Sequence, residues 1–233
     1  PDRLVPGRRL SRRFWGMCRE NSAGYEKMII DPKKQTFAEN HKLMIGSIVP
    51  RPIAFVSSVS NNGLNNLAPF SYFNGVCSNP PTIMFAPGRR GYDGLTKDTL
   101  NNIRETKEFS VNIVSEEIGK QMVACATDYP PDIDEFEISG LTPASSEKVK
   151  APRVAESKVS FECKLNQIVE IGDGGAGAGF VVIGTIVMFH VDDDVFQDGK
   201  INIDTLKPLG RLTGNSYTRI SEIFDIVRKV RPN

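Results

Sequence analysis

Between Ile48 and Pro81 the chain sets two strand-like runs around an Asn61-Asn62-Gly63 corner. The first run is Ile-Val-Pro-Arg-Pro-Ile-Ala-Phe-Val-Ser-Ser-Val-Ser. The second is Asn-Asn-Leu-Ala-Pro-Phe-Ser-Tyr-Phe-Asn-Gly-Val-Cys-Ser-Asn and closes on Pro80-Pro81. An Asn-Gly corner between such runs signals a β-hairpin, because both residues tolerate positive φ. Antiparallel pairing is therefore expected early in the chain. Asn66, Ser71 and Asn74 interrupt the second run, and packing alone would not choose them.

Short strand-like runs continue downstream. In the first run Ile53, Phe55, Ser57 and Val59 alternate with Ala54, Val56 and Ser58, so both faces are expected to meet protein or ligand. Thr82–Ala86 is a third apolar run. Val159–Val169 places Val159, Phe161, Cys163 and Leu165 on a face to be buried. Ser160, Glu162, Lys164 and Asn166 take a face to be solvated. Phe180–Val191 is apolar on both faces, as a central strand would be, and Asp198-Gly199 marks another hairpin. Helical patterns are predicted from Thr96 to about Thr106, from Ser115 to about Ala126, and over Tyr217–Val230, where Ile220, Phe224 and Val227 form a stripe. Many short strands with few helices predict a mainly β fold, a closed or partly open antiparallel barrel with peripheral helices. The Pro- and acid-rich Tyr129–Pro152 stretch reads as a loop over that barrel, with apolar Tyr129, Ile133 and Phe136 suited to an interface.

Charge and cysteines narrow the function classes. The 233 residues carry a formal charge of +1, which offers no footprint for a nucleic acid. Residues 1–27 hold +4 of it, leaving −3 on the remainder. That segment reads as a basic extension, either an organellar presequence or a vector-derived or disordered stretch, ahead of a single domain over residues 28–233. Met28-Ile29-Ile30-Asp31 would serve as a start. Cys18, Cys77, Cys125 and Cys163 are widely spaced and the two histidines add little, so neither a zinc site nor a disulfide scaffold is expected. Reduced thiols point to the cytoplasm, and no apolar stretch reaches the ~20 residues of a membrane helix.

Few motifs carry chemistry. Gly172-Asp-Gly174-Gly-Ala-Gly177 matches the dinucleotide fingerprint in letters, but a strand follows where a helix must receive the pyrophosphate. It reads as a hairpin loop. Lys97-Asp98-Thr99 puts an amine and a hydroxyl in the first turn of a helix, where an anion is favoured; the plainer reading is an ordinary capped helix. Arg51 lies between two prolines that hold the backbone extended, either as a solvated edge residue or as a guanidinium for a phosphate, with Ser57 and Ser58 as hydroxyl donors. Asn66 to Asn74 is an edge strand broken by Pro69 on one reading. On the other it is a row of amides and hydroxyls for a ring rich in N and O. His190 ends the longest apolar strand, as a packing residue or a site residue.

The Arg-Pro strand, the Asn-Leu-Ala-Pro-Phe-Ser stretch and the later Lys-Asp-Thr together resemble the flavin reductase-like family, from about Ile45 to Tyr217. Arg211-Leu-Thr-Gly-Asn-Ser-Tyr217 matches a family segment with Thr213 in place of a glycine. The resemblance implies an FMN-binding split β-barrel, a homodimer, and hydride transfer from NADH or NADPH to flavin. It implies that Arg51, Ser57, Ser58, Lys97 and Thr99 hold the FMN phosphate. Asn66, Leu67, Ala68, Ser71 and Asn74 would line the ring, Arg211 and Tyr217 would complete the site, and His190 would lie on the nicotinamide side. A flavin-dependent monooxygenase or another electron acceptor would take up the reduced flavin. An FMN-retaining electron carrier or ferric-complex reductase, or a non-catalytic FMN-binding module, would carry the same motifs.

Overall fold

A computed structural model describes residues 21–22 and 25–229. The expected N-terminal extension lies largely outside the described residues. Within it, Asn21–Ser22 pairs with Tyr25–Glu26.

Helix α1 (Phe37–Ser47) opens the fold on a capping box. The Thr36 side chain accepts from the Glu39 amide while the Glu39 carboxylate accepts from the Thr36 amide at 2.8 Å. Seven strands follow: β1 (Ala54–Val59), β2 (Asn65–Phe70), β3 (Phe73–Ser78), β4 (Pro81–Phe85), β5 (Glu108–Ile113), β6 (Val159–Ile171) and β7 (Gly179–Val191). They form one antiparallel sheet in the order β2-β1-β5-β6-β7-β4-β3. The two edges are consecutive strands, joined at Ser71-Tyr72 and not hydrogen-bonded to each other. That gap is the split of a split barrel.

The barrel interior closes on Phe70, Phe85 and Phe109, whose rings stack 5.0 and 5.5 Å apart in sequence, and on Leu100 and Ile103 from α2 (Asp98–Thr106). All six residues of β1 are buried because the sheet is covered on both faces. A second core packs Phe55 and Leu67 against α3 (Gly119–Ala124) and α4 (Glu135–Ser139) through Met122, Phe136 and Leu141. Strands β8 (Leu209–Arg211) and β9 (Tyr217–Arg219) pair beside it.

Four expectations change. Only Gly63 takes positive φ at the first corner (83°), whereas Asp198 and Gly199 both do (50° and 75°). Ser160 and Glu162 are buried, not solvated, because the Ser145–Lys150 loop covers that face; Glu162 accepts from the Glu147 and Lys148 amides at 2.7 and 2.5 Å. The Tyr129–Pro152 stretch contains α4 and buries Phe136 within this chain. The predicted Tyr217–Val230 helix is β9 followed by irregular chain through residue 229, with Val230 outside the described residues. Among the described residues its stripe has nothing to pack on: Phe224 is 75% and Val227 91% exposed. An isolated helix of that length is marginal in water.

Candidate functional site

The narrow end of the site is built on the start of α2. Lys97 holds the cap position with extended backbone, and no side chain caps the helix. Unpaired amides and the positive end of the dipole favour an anion there. Thr99 is buried in the first turn, and its Oγ1 donates to Asn66 Oδ1 at 2.6 Å. Asn66 Nδ2 donates to both Glu135 carboxylate oxygens at 2.9 and 3.0 Å, and the Leu67 amide donates to Glu135 Oε2 at 2.9 Å. Burial pushes the Glu135 carboxyl up from its ordinary value, against the pull of these amides.

Two cations face this network. Lys97 Nζ lies 2.7 Å from Asp128 Oδ1, and Arg90 Nη2 lies 2.7 Å from Asp98 Oδ2. Burial opposes the charge on Arg90, but Asp98, Tyr92, Asp93 and Asp128 outweigh it and hold the guanidinium more firmly protonated than usual. The buried Arg90 Nε has no acceptor among the described residues. Between these groups runs a cavity of about 40 Å³ that also touches Ala68, Pro69 and Phe70.

Pro69 and Phe70 also border a wide groove of about 800 Å³. One wall is α1, through Phe37, His41 and Met44. The others are Ser71-Tyr72, Gly88-Arg89 and Arg211–Gly214. Arg89 Nη2 reaches Glu170 at 2.5 Å, while its Nε, like that of Arg90, is buried without an acceptor among the described residues. An anion at the narrow end and a flat polar ring against the sheet edge would satisfy what these side chains leave open. Cys125, at the narrow end, is no nucleophile, since burial pushes its thiol up to about 11.

The structure gathers some of the expected residues and parts others. Asn66, Ala68, Lys97 and Thr99 line the narrow end; Ser71, Arg51 and Arg211 border the groove. Leu67 contributes backbone only, its side chain lying in the second core. Arg51 is turned away from a phosphate role. Nη1 donates to Ile45 O and Ile48 O, Nη2 to Leu212 O at 2.8 Å, and Nε to Ser71 Oγ at 3.3 Å. Ser57 and Ser58 point to opposite faces of β1, the first onto the Pro152 carbonyl and the second toward Asn66 and Asn102. Asn74 is exposed and caps its own neighbour, Gly75 N–H, at 2.8 Å. Tyr217 lies outside the groove, 4.5 Å beneath the Arg211 guanidinium. His190 stands eleven residues along β7 from Gly179, which touches Pro87 and Gly88 at the groove; that is roughly 35 Å of strand. Its Nε2 pairs with the buried Glu162 at 2.5 Å. Sequence reasoning missed Arg89, Arg90, Asp128 and Glu135. The paired arginines seven residues before Lys97 were the available signal.

The family model described as "Flavin reductase like domain" matches residues 45–209. An uncharacterized protein of Halalkalibacterium halodurans is 41% identical over 202 residues, covering 86% of this chain and 96% of that one. Among solved structures, nitrilotriacetate monooxygenase component B from Bacillus cereus superposes with a TM-score of 0.82 at 38% identity, covering 89% of this chain and all of the other. The 2-nitrobenzoate 2-nitroreductase NbaA of Pseudomonas fluorescens gives 0.76 at 31%, covering 88% and 98%.

Proposed function

The chain belongs to the flavin reductase-like family, and from that membership we propose that it is an FMN-binding oxidoreductase passing hydride from NADH or NADPH to flavin. One observation carries the reading: an uncapped helix end with Lys97 and an Arg90 Nε that has no acceptor among the described residues shares Pro69 and Phe70 with a groove wide enough for a ring system. Lys97, Arg90 and the free amides at the start of α2 hold the phosphate, while Thr99 spends its hydroxyl proton on Asn66, which Glu135 fixes in turn. The Ala68–Tyr72 backbone and Ser71 face the ring; α1 and the Arg211 loop shield it from water. Bound flavin would supply the redox chemistry, as the acceptor of nicotinamide hydride. The chain's part is to bind, orient and, through Arg89 and Arg211, place positive charge beside the groove, where a reduced ring gathers negative charge.

The Bacillus cereus neighbour is a monooxygenase component, which supports a flavin-dependent monooxygenase as the consumer of reduced flavin. The nitroreductase neighbour favours a second reading, in which flavin stays bound and a small acceptor enters the same groove. A homodimer is part of the proposal. It would cover Val187 and Phe189 of β7 and the apolar 220–227 chain, all more than one-third exposed.

NAD(P)H oxidation with and without added FMN tests the activity, and reduced flavin found free in the filtrate separates the first reading from the second. Lys97→Ala should weaken FMN by about 1–3 kcal/mol, the range for a charged hydrogen bond, and leave riboflavin affinity unchanged. Equal affinity of the wild type for FMN and riboflavin would exclude the phosphate assignment.

A further inference from the structure

Asp128 holds the place that the proposed phosphate needs. Its Oδ1 is 2.7 Å from Lys97 Nζ, and it is one of the anions that keep Arg90 charged. Asp128 lines the cavity between those cations, so a phosphate that bonds the Lys97 amine there meets the carboxylate's negative charge. Lys97 and Asp128 are each about one-third exposed, which leaves water a route to the pair.

The segment that carries Asp128 is built to shift. It joins α3 to α4, both anchored in the second core through Met122 and Phe136. Between those anchors, among the described residues, the backbone hydrogen bonds of residues 127–133 stay inside the segment: Tyr129 N–H to Thr127 O and Ile133 N–H to Pro130 O. Asn65–Asp134 and Asn66–Glu135 fix its far end at 3.1 and 2.9 Å. Residues 126–128 and 130–132 are exposed. No backbone ladder has to break for Asp128 to move aside.

We propose that Asp128 is a resident anion of the phosphate site, displaced when the flavin phosphate binds Lys97, so that this carboxylate sets how tightly the chain holds FMN. The inference rests on the phosphate reading given above and adds a competitor to it. Swapping one anion for another at Lys97 keeps the lysine paired throughout. The cost is that part of the phosphate's attraction offsets a contact already made. A chain that must release reduced flavin to a partner gains from such a counterweight, since tight retention would block transfer.

The test titrates flavin-stripped wild type, Asp128→Asn, Lys97→Ala and the double variant with FMN and with riboflavin, following fluorescence quenching. Asp128→Asn should bind FMN roughly 3- to 10-fold tighter, the scale of a partly exposed ion pair, with riboflavin unchanged. In the Lys97→Ala background the gain should shrink, because most of it runs through that one contact and only the Asp128 charge felt by Arg90 remains. Weaker or unaltered FMN binding by Asp128→Asn, with Lys97→Ala still harmful, overturns the inference and leaves the phosphate reading standing. If Lys97→Ala leaves FMN binding intact, both fail. Asp128→Ser replaces the asparagine should that variant not fold, with the same outcomes decisive.

Discussion

Glu162 and Arg51 are buried charges whose partners explain them. Arg51 is 4% exposed and spends four of the five N–H donors of its fork on α1, the Leu212 loop and Ser71, so it ties two walls of the groove together. Flanking prolines made it legible as a special residue, but its target depended on carbonyls up to 161 positions away. Glu162 is fully buried. Burial alone would raise its pKa; the Glu147 amide, His190 and the Lys148 amide outweigh that and hold it below the usual carboxylate range. A lowered carboxylate stabilises the fold above its unfolded value and loses that contribution as pH falls through the folded one. Glu162→Gln should therefore lower the melting temperature at pH 7, by about 1–3 kcal/mol of stability, and show a smaller acid loss than wild type below pH 4.5. Melting curves at pH 7 and pH 4 check it. Unaltered stability at pH 7 would mean that the two loop amides find water as readily as the carboxylate.

At the level of elements, strands were easier to read than helices. The period-2 runs and Gly-containing corners marked β1, β2, β4, β6 and β7, since alternation and turn chemistry are local. Helix α1 carries Thr36-x-x-Glu39, a legible signature that the expectation of strands passed over. The C-terminal stripe misled because amphipathic spacing makes a helix only where a partner face exists. Strand β7 also carries a constraint invisible in its letters. A methyl group at Gly184 would land on the ring of the buried Phe109, with Cys163 Cβ 3.4 Å away. Gly184→Ala is expected to cost about 1–3 kcal/mol through overpacking. Chemical denaturation should show an earlier midpoint with an unchanged slope, and a neutral result would require the Phe109 ring to rotate freely within the barrel.

For the whole molecule, the barrel could be read in advance, and Lys97 and Thr99 were named for the candidate site from their motif, while the cations and carboxylates now seen beside them were not. Asp128 and Glu135 come to Asn66 and Lys97 only through the packing of α3 and α4 on the barrel, and Arg90 through the fold of the loop before α2, where Leu95 and Asp98 hold it. Since Phe136 is buried within this chain, the proposed dimer would use exposed β7 and the 220–227 chain in place of the 129–152 stretch. Sedimentation at micromolar concentration should give twice the 25.7 kDa chain mass, and truncation after Arg219 should shift it toward one. A full-length chain that sediments as a single copy with flavin bound would refute the homodimer. The barrel's split leaves β2 as an open edge, yet Pro69 has no N–H there and the Leu67 N–H is taken by Glu135. A strand from another chain would find few donors to grip. The carboxylate that fixes Asn66 thus also guards this edge against cross-β stacking.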